Sequence, residues 1–288
     1  MEGYNFAWNF AWYDACKLLH GMTTARYSEK QIHDKVQEVL SDGFCILPNH
    51  FSEETLTRWR ESFLPLLAKQ IELEGKTTSR GSQRYYVTLP FILPFADPSI
   101  YENEDVLAIS EKLVGKDMVM CQLASDTPLI GSDYQTIHRD TPPLFPETGK
   151  ETLPFQLAIN FPLVDVVPDN GPIEIVRRTH MMSKEEGLKL LEFNELKLEQ
   201  VPMKLGDVMI RDVRGLHRGS PNRTNAPRPM VVIGYSRRWL NRPEVSIQVP
   251  RTMLQALSER ARRLLQYNPI VDEIDLTPKT ESYQTFSY

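Results

Sequence analysis

Short apolar runs separated by turn signals fill the chain from residue 118 to residue 236, and this pattern constrains the fold more than any other feature. Runs of four to seven residues have the length of strands and are too short for core helices. Many short strands bury their apolar faces by closing into a jelly-roll or cupin-like barrel. The predicted strands are 118–124, 155–161, 173–176, 207–211 and 230–236. The sequence therefore predicts a mainly β fold.

Helices are expected on both sides of this β region. Ser28 and Gln31 form a capping-box pattern, and Gly43 can end the helix that follows. A second helix is predicted from Ser52, and Pro65 can kink it. Residues 73–100 have the composition of a loop. The predicted helices are 28–43, 52–72, 106–114, 183–191 and 252–266.

The domain organisation follows from length and composition. The chain has 288 residues, 41% of them hydrophobic, and no repeat, low-complexity tract or Gly/Ser linker divides it. We predict an N-terminal arm (1–27), a single domain (28–270) and a C-terminal tail (271–288) that is poorly ordered after Pro278. The aromatic segment 6–12 in the arm could be a packing arm, a lid or a dimer contact, of which packing is favoured. The expected oligomeric state is monomer or homodimer.

Charge, hydropathy and cysteine usage limit the classes of partner. The formal net charge of −5 argues against nonspecific nucleic-acid binding, which requires a basic face. No apolar stretch has the roughly 18 residues needed to span a bilayer, and the N-terminus lacks a signal-peptide pattern. Three widely spaced cysteines form neither a disulfide framework nor a zinc motif. We therefore expect a cytoplasmic protein that acts on a small molecule.

Two histidines and an aspartate form the strongest candidate site. His138 and Asp140 are two positions apart, so on an extended strand both side chains point to the same side. His217 follows much later in the chain. Two imidazoles and one carboxylate are the ligand set of the facial triad of non-haem Fe(II) oxygenases. A metal ion held by three protein ligands keeps open positions for other ligands.

An arginine in the next predicted strand adds a second element to this site. Arg228 lies eleven positions after His217, at the start of an apolar run. A guanidinium in this position can bind a carboxylate through two hydrogen bonds, as required for the far end of a metal-chelating 2-oxo acid. Arg223 is the alternative, but it lies in a turn-like Asn-Arg-Thr segment and is expected to face solvent.

Four motifs in the right order resemble those of the phytanoyl-CoA dioxygenase (PhyH-like) family of Fe(II)/2-oxoglutarate-dependent dioxygenases. The segment 168–180 reads PDNGPIEIVRRTH and resembles the family pattern E-N-G-x-L-x-x-x-P-G-S-H. The segment 204–224 reads KLGDVMIRDVRGLHRGSPNRT and resembles x-x-G-D-x-x-x-F-x-x-x-x-x-H-x-S-x-x-N. Gln135, His138 and Asp140 resemble Q-x-x-H-x-D, and the likeness extends over about 34–238. RRTH at 177–180 replaces Pro-Gly-Ser-His, and Gly219 stands where Ser is common.

The resemblance implies a double-stranded β-helix core, buttressed by helices, that uses Fe(II), 2-oxoglutarate and O2. It implies that His138, Asp140 and His217 hold the iron, that Arg228 holds the distal carboxylate of 2-oxoglutarate, and that Gln135 contacts the cosubstrate. The implied reaction oxidises an unactivated C–H bond, usually by hydroxylation, and releases succinate and CO2. Asp140 argues against halogenation, because the related halogenases carry a small residue at that position.

Substrate contacts are predicted less specifically. Each candidate has an alternative role, either in satisfying buried backbone groups or on the surface. The candidate substrate residues are Gln122, Thr127, Asn160, Arg237 and Tyr85. Arg80, Arg84, Tyr85 and Tyr86 could belong to a lid, and arginines near the predicted pocket favour an anionic small molecule.

The other four histidines are expected to have structural or surface roles. His20, His33 and His50 are expected on the surface or at helix ends, and His180 is expected to be structural.

The alternative function is that of a cupin-like metal-dependent isomerase or metabolite-binding protein without oxygenase activity. Cupin sites usually draw on more clustered histidines than this chain supplies.

Overall fold

The computed structural model describes residues 24–240 and 247–280. Most of the predicted N-terminal arm, including the aromatic segment 6–12 and His20, lies outside the described residues, as does the end of the predicted tail. None of the helices in the described ranges is both long enough and apolar enough to cross a membrane.

Helices precede, interrupt and follow the β region. At the first helix the Ser28 hydroxyl accepts a hydrogen bond from the Gln31 amide, and the Gln31 side chain accepts one from the Ser28 amide. Gly43 ends this helix in the left-handed conformation, with φ 92°. The second helix continues through Pro65. The α-helices of the described residues are α1 (Glu29–Asp42), α2 (Glu53–Glu74), α3 (Pro98–Tyr101), α4 (Glu104–Val114), α5 (Lys184–Glu192) and α6 (Glu259–Leu264).

The strands form two antiparallel sheets and two short ribbons. They are β1 (Phe44–Leu47), β2 (Thr77–Thr78), β3 (Gly81–Ser82), β4 (Arg84–Thr88), β5 (Val119–Pro128), β6 (Gln156–Pro162), β7 (Ile173–Val176), β8 (Leu198–Val201), β9 (Val208–Asp212), β10 (His217–Gly219), β11 (Met230–Ser236), β12 (Val249–Pro250) and β13 (Ile270–Val271). The major sheet has six strands in the order β1-β9-β6-β11-β5-β4, and the minor sheet has the order β10-β7-β8. The prediction of a mainly β fold with flanking helices is therefore confirmed.

Side chains alternate in direction along the strands, so one face of the major sheet packs against helices and the other face lines a cavity. On β6, Leu157, Ile159 and Phe161 pack in the main hydrophobic core with side chains of α1, α2 and α4. The intervening Ala158 and Asn160 point to the other face, where they line a cavity. This face is free to carry polar groups because the helices already cover the opposite one.

Two of the elements predicted from the sequence, a loop and a helix, are wrong. Residues 73–100 are not a continuous loop, because they contain the hairpin β2–β3 and the edge strand β4, whose Tyr and Val residues favour strands. The predicted helix 252–266 is instead a 3₁₀ turn (Arg251–Met253) followed by the short α6. Ser258 causes this division, because its hydroxyl accepts a hydrogen bond from the Ala261 amide and starts a new helix.

The segment after residue 270 makes specific contacts with the domain. β13 pairs in parallel with β12, so the tail boundary predicted at residue 270 falls inside a strand. Further on, the Lys279 carbonyl accepts a hydrogen bond from the buried side chain of Gln70 on α2.

Candidate metal centre and cavity

A pair of backbone hydrogen bonds brings the three candidate ligands together. The His138 amide donates to the His217 carbonyl (2.9 Å), and the His217 amide donates to the His138 carbonyl (3.0 Å). The Asp140 amide donates to the Val213 carbonyl, in the segment that leads to β10. These bonds join two segments that are far apart in sequence and place all three side chains at the cavity wall.

The ligand atoms converge on one point. Asp140 Oδ1 lies 3.7 Å from His138 Nε2 and 3.5 Å from His217 Nε2. One ligand atom from each residue lies within 4.8 Å of the others, and the two imidazole centroids are 4.5 Å apart. Arg139, between His138 and Asp140, points the opposite way into a buried ion network, as strand alternation requires.

The protonation states fit a divalent metal ion. Nδ1 of His138 lies 2.8 Å from the Thr136 carbonyl, and Nδ1 of His217 lies 2.9 Å from the Gly215 carbonyl. An Nδ1–H that donates to a carbonyl leaves the Nε2 lone pair for the metal. Burial and the neighbouring His217 lower the pKa of His138 to about 4, so its imidazole is neutral at pH 7. The three residues could therefore hold a metal ion.

Arg211 on β9 fixes the Asp140 carboxylate. Its Nη2 donates to Asp140 Oδ2 at 2.6 Å, which leaves Oδ1 facing the two histidines. Burial opposes ionisation of Asp140, but Arg211 and the two histidines outweigh it and hold the pKa of Asp140 well below its usual range. Sequence reasoning missed Arg211, although it stands where the 204–224 pattern has Phe.

Arg228 lies in the same cavity, fully buried. Its Nη2 donates to the Gly171 carbonyl at 2.6 Å, and its Nε has no hydrogen-bond partner among the described residues. Burial and the neighbouring Arg84 lower the pKa of Arg228 to about 9, so it is charged at pH 7. Gln135 also lines the cavity, and its Oε1 accepts from the Gly219 amide at 2.9 Å. Arg223 is exposed, outside the cavity.

The replacement of Ser by Gly at 219 has a structural reason. A Cβ at Gly219 would lie 2.6 Å from Nη1 of Arg84 and 2.7 Å from Oε1 of Gln135. Arg84 is buried and donates to Asp126 Oδ2 (2.8 Å) and to the Ser220 carbonyl (2.8 Å). The guanidinium of Arg84 thus occupies the space that a side chain at 219 would need.

The predicted substrate residues divide into two groups. Gln122 and Asn160 line the cavity. Thr127 and Tyr85 point to the opposite, helix-packed face, where the Tyr85 hydroxyl donates to the Gly75 carbonyl. Arg237 donates to the carbonyls of 154 and 113 and does not line the cavity.

Several cavity residues were not predicted as substrate contacts. They are Asp126, Gln156 and Arg211, whereas Arg80 and Tyr86, which also line the cavity, were predicted only as possible lid residues. Counting by two from Gln122 along its strand reaches Asp126 and excludes Thr127, so the signal for Asp126 was present in the sequence. Tyr86 follows from the same parity in β4, where it is paired with Asp126.

The remaining described histidines lie away from this centre. His33 is exposed, as expected. His50 is instead buried, because its Nε2 lies 3.2 Å from Asp105 Oδ2 in α4. His180 is structural as predicted, since its Nε2 lies 3.1 Å from the Leu40 carbonyl near the end of α1.

Three of the solved structures with a similar fold either contain 2-oxoglutarate or are named as dependent on it. One is the epimerase SnoN in complex with Fe3+, alpha ketoglutarate and nogalamycin RO (17% identity, 73% of this chain and 85% of that chain, TM-score 0.57). Another is the non-heme alpha ketoglutarate dependent carbocyclase SnoK from nogalamycin biosynthesis (18%, 74% and 85%, 0.54). A third is HygX from Streptomyces hygroscopicus with nickel, 2-oxoglutarate and hygromycin B bound (16%, 80% and 93%, 0.54).

At these identities the likeness establishes the fold, and it confirms the predicted double-stranded β-helix core. The family is established by sequence. The profile of the phytanoyl-CoA dioxygenase (PhyH) family matches residues 39–230, about two thirds of the chain, and this range contains the candidate metal ligands and Arg228. The chain therefore belongs to the phytanoyl-CoA dioxygenase (PhyH) family.

Proposed function

We propose that this protein is an Fe(II)- and 2-oxoglutarate-dependent dioxygenase that hydroxylates an unactivated C–H bond of a small-molecule metabolite. The observation that carries the proposal is the convergence of His138, Asp140 and His217 in the cavity that also contains Arg228. When bound there, iron and 2-oxoglutarate would together activate O2, with release of succinate and CO2. The family match favours this reading over a cupin-like isomerase or binding protein.

The residues of the chain have distinct roles in this proposal. His138 and His217 present their Nε2 atoms, because each Nδ1 lies against a backbone carbonyl, and Asp140 presents one oxygen while Arg211 holds the other. Arg228 would hold the distal carboxylate of the 2-oxo acid through a charge-assisted contact. Because Oε1 of Gln135 is engaged by the Gly219 amide, its amide nitrogen is left to donate to the cosubstrate.

The proposed metal site can be tested without knowing the substrate. Anaerobic addition of Fe(II) and 2-oxoglutarate to the wild-type protein should produce a weak visible charge-transfer band. His138→Ala and His217→Ala should lose this band and bind Fe(II) far more weakly, because each removes one of three ligands. His33→Ala, which changes an exposed histidine, is the control and should behave as wild type. A normal band in either ligand variant would remove the basis of the proposal.

Hydroxylation itself requires a separate experiment, because SnoN is an epimerase and SnoK a carbocyclase. A screen of candidate metabolites scored by succinate release would identify a substrate. Mass spectrometry should then show a product that has gained one oxygen atom. Product of unchanged mass, or a product that has lost two hydrogens, would instead assign epimerisation or an oxidative ring closure or desaturation.

A further inference from the structure

The cavity keeps a positive charge that neither the metal ion nor the 2-oxo acid of the proposed function removes. Among the described residues, its charged lining consists of three arginines and two aspartates, which gives one formal positive charge apart from the histidines: Arg80, Asp126, Asp140, Arg211 and Arg228. A divalent metal ion adds two positive charges, and dianionic 2-oxoglutarate cancels them. Arg84 lies directly behind this lining, on Asp126, and adds another. The loaded cavity therefore remains cationic.

Among the arginines of the cavity, Arg211 is the one best placed to bind an anionic ligand. Its Nη2 donates to Asp140, and its Nε donates to Asn160 Oδ1 at 3.1 Å. Asn160 is itself held, because its amide nitrogen donates to the Val231 carbonyl. The guanidinium is therefore fixed in orientation. Its Nη1 is buried and has no hydrogen-bond partner among the described residues. A charged donor left unpaired in a buried position is costly, so this nitrogen favours a ligand that accepts a hydrogen bond.

A second arginine, Arg80, reaches the same cavity from a different element. It lies in the turn of the hairpin β2–β3, with its guanidinium 4.1 Å from the centroid of the Tyr86 ring. Its Nη1 is 3.6 Å from Asp126 Oδ1. Arg80 therefore adds positive charge on the hairpin side of the cavity, whereas Arg211 belongs to the metal side.

We propose that the primary substrate carries an anionic group, a carboxylate or a phosphate or sulfate ester, which Arg211 binds and Arg80 attracts. This inference rests on the proposed function, since it concerns the substrate of the same site. A planar guanidinium held rigidly binds such groups with defined geometry. Arg211 would then connect the substrate to Asp140, the carboxylate that binds the metal ion. One of its amino groups donates to Asp140, and the other would donate to the anionic group.

The test uses protein loaded with Ni(II) and saturated with 2-oxoglutarate, so that no turnover occurs. Binding of benzoate and phenyl phosphate is measured by calorimetry beside that of the neutral isostere benzamide. Wild type should bind an anionic probe at least about tenfold more tightly than benzamide, the effect of one charge-assisted hydrogen bond. Arg211→Gln should lose about tenfold of this affinity, and Arg80→Gln should lose a smaller part. Arg223→Gln, which removes the same charge from an exposed turn, should retain it.

Three outcomes would overturn the inference: equal binding of neutral and anionic probes, undiminished anion binding in Arg211→Gln, or competition between the probe and 2-oxoglutarate. The last outcome would assign Arg211 to the cosubstrate. If Arg211→Gln does not fold, Arg80→Gln carries the test, and unchanged anion affinity in that variant contradicts the inference. Failure of the proposed function would appear separately, as absence of 2-oxoglutarate binding to the metal-loaded wild type.

Discussion

Arg228 is the residue whose role is most sharply testable, because the chain supplies its own control five positions earlier. Arg228 is buried in the cavity, whereas Arg223 is exposed. Losing a charge-assisted contact costs roughly 2–4 kcal/mol. We expect Arg228→Ala to raise the concentration of 2-oxoglutarate required for binding by about 30-fold or more. The charge-transfer band, titrated with 2-oxoglutarate, measures this, and Arg223→Ala should change it little. A reversal of the two effects would assign the clamp to Arg223.

Asp140 is a second single residue with a testable role, because it determines the type of product. Its carboxylate supplies the third protein ligand, so a halide has no free position there, and its negative charge opposes a halide at that point. We expect the wild-type protein with substrate, O2 and excess chloride to give only oxygenated or otherwise oxidised product. Asp140→Gly should lose most activity, because contacts around a halide were never formed there. Mass spectrometry decides the point, and a chlorinated product from the wild-type protein would refute this role of Asp140.

At the scale of elements, the approach of β4 to β10 depends on a glycine. The guanidinium of Arg84 on β4 fills the space beside Gly219 on β10, where a Cβ would lie 2.6 Å from it. We expect Gly219→Ala to displace Arg84 from Asp126, to destabilise the fold by about 1–3 kcal/mol, and to weaken 2-oxoglutarate binding.

Gly215 provides a matched control for this substitution. It lies two residues before His217, and a Cβ there would meet its nearest atom outside the adjacent residues, the Asp212 carbonyl oxygen, at an ordinary 3.6 Å. Gly215→Ala should therefore leave thermal stability and 2-oxoglutarate binding nearly unchanged. Equal effects of the two substitutions would mean that the space beside Gly219 is not what limits the contact between β4 and β10.

At the scale of the whole molecule, one buried carboxylate joins the two segments that carry the metal ligands. Glu151 Oε1 accepts from Arg139 Nη1 at 2.6 Å, and its Oε2 accepts from Arg214 Nη1 at 3.2 Å. Arg139 lies between His138 and Asp140, and Arg214 precedes His217 by three residues. Removing Glu151 leaves two buried guanidinium groups without this partner.

We therefore expect Glu151→Ala to lower the free energy of unfolding by about 3–5 kcal/mol, the cost of breaking a buried ion pair. Denaturant titration measures it. Glu259→Ala removes the exposed pair with Arg263 (2.9 Å) and should cost only about 0.3–0.5 kcal/mol. Similar losses in the two variants would show that the buried network contributes no more than a surface pair.

The sequence by itself determined the features that depend on local spacing. Short apolar runs gave the mainly β fold, the capping box gave the start of α1, and the H-x-D spacing placed His138 and Asp140 on one side of an extended segment. Strand parity could also have separated Asp126 from Thr127. These features are readable because each depends on residues only a few positions apart.

Only the tertiary structure decided the features that depend on long-range pairing. The pairing of His138 with His217, of Arg211 with Asp140 and of Arg84 with the space beside Gly219 joins residues 71 or more positions apart. The burial of His50 depends in the same way on Asp105. No local pattern encodes such partners, because strand register and sheet order select them. The sequence predicted arginines near the pocket, but the position of Arg211 in its wall, beside Asp140, became visible only once the strands were assembled.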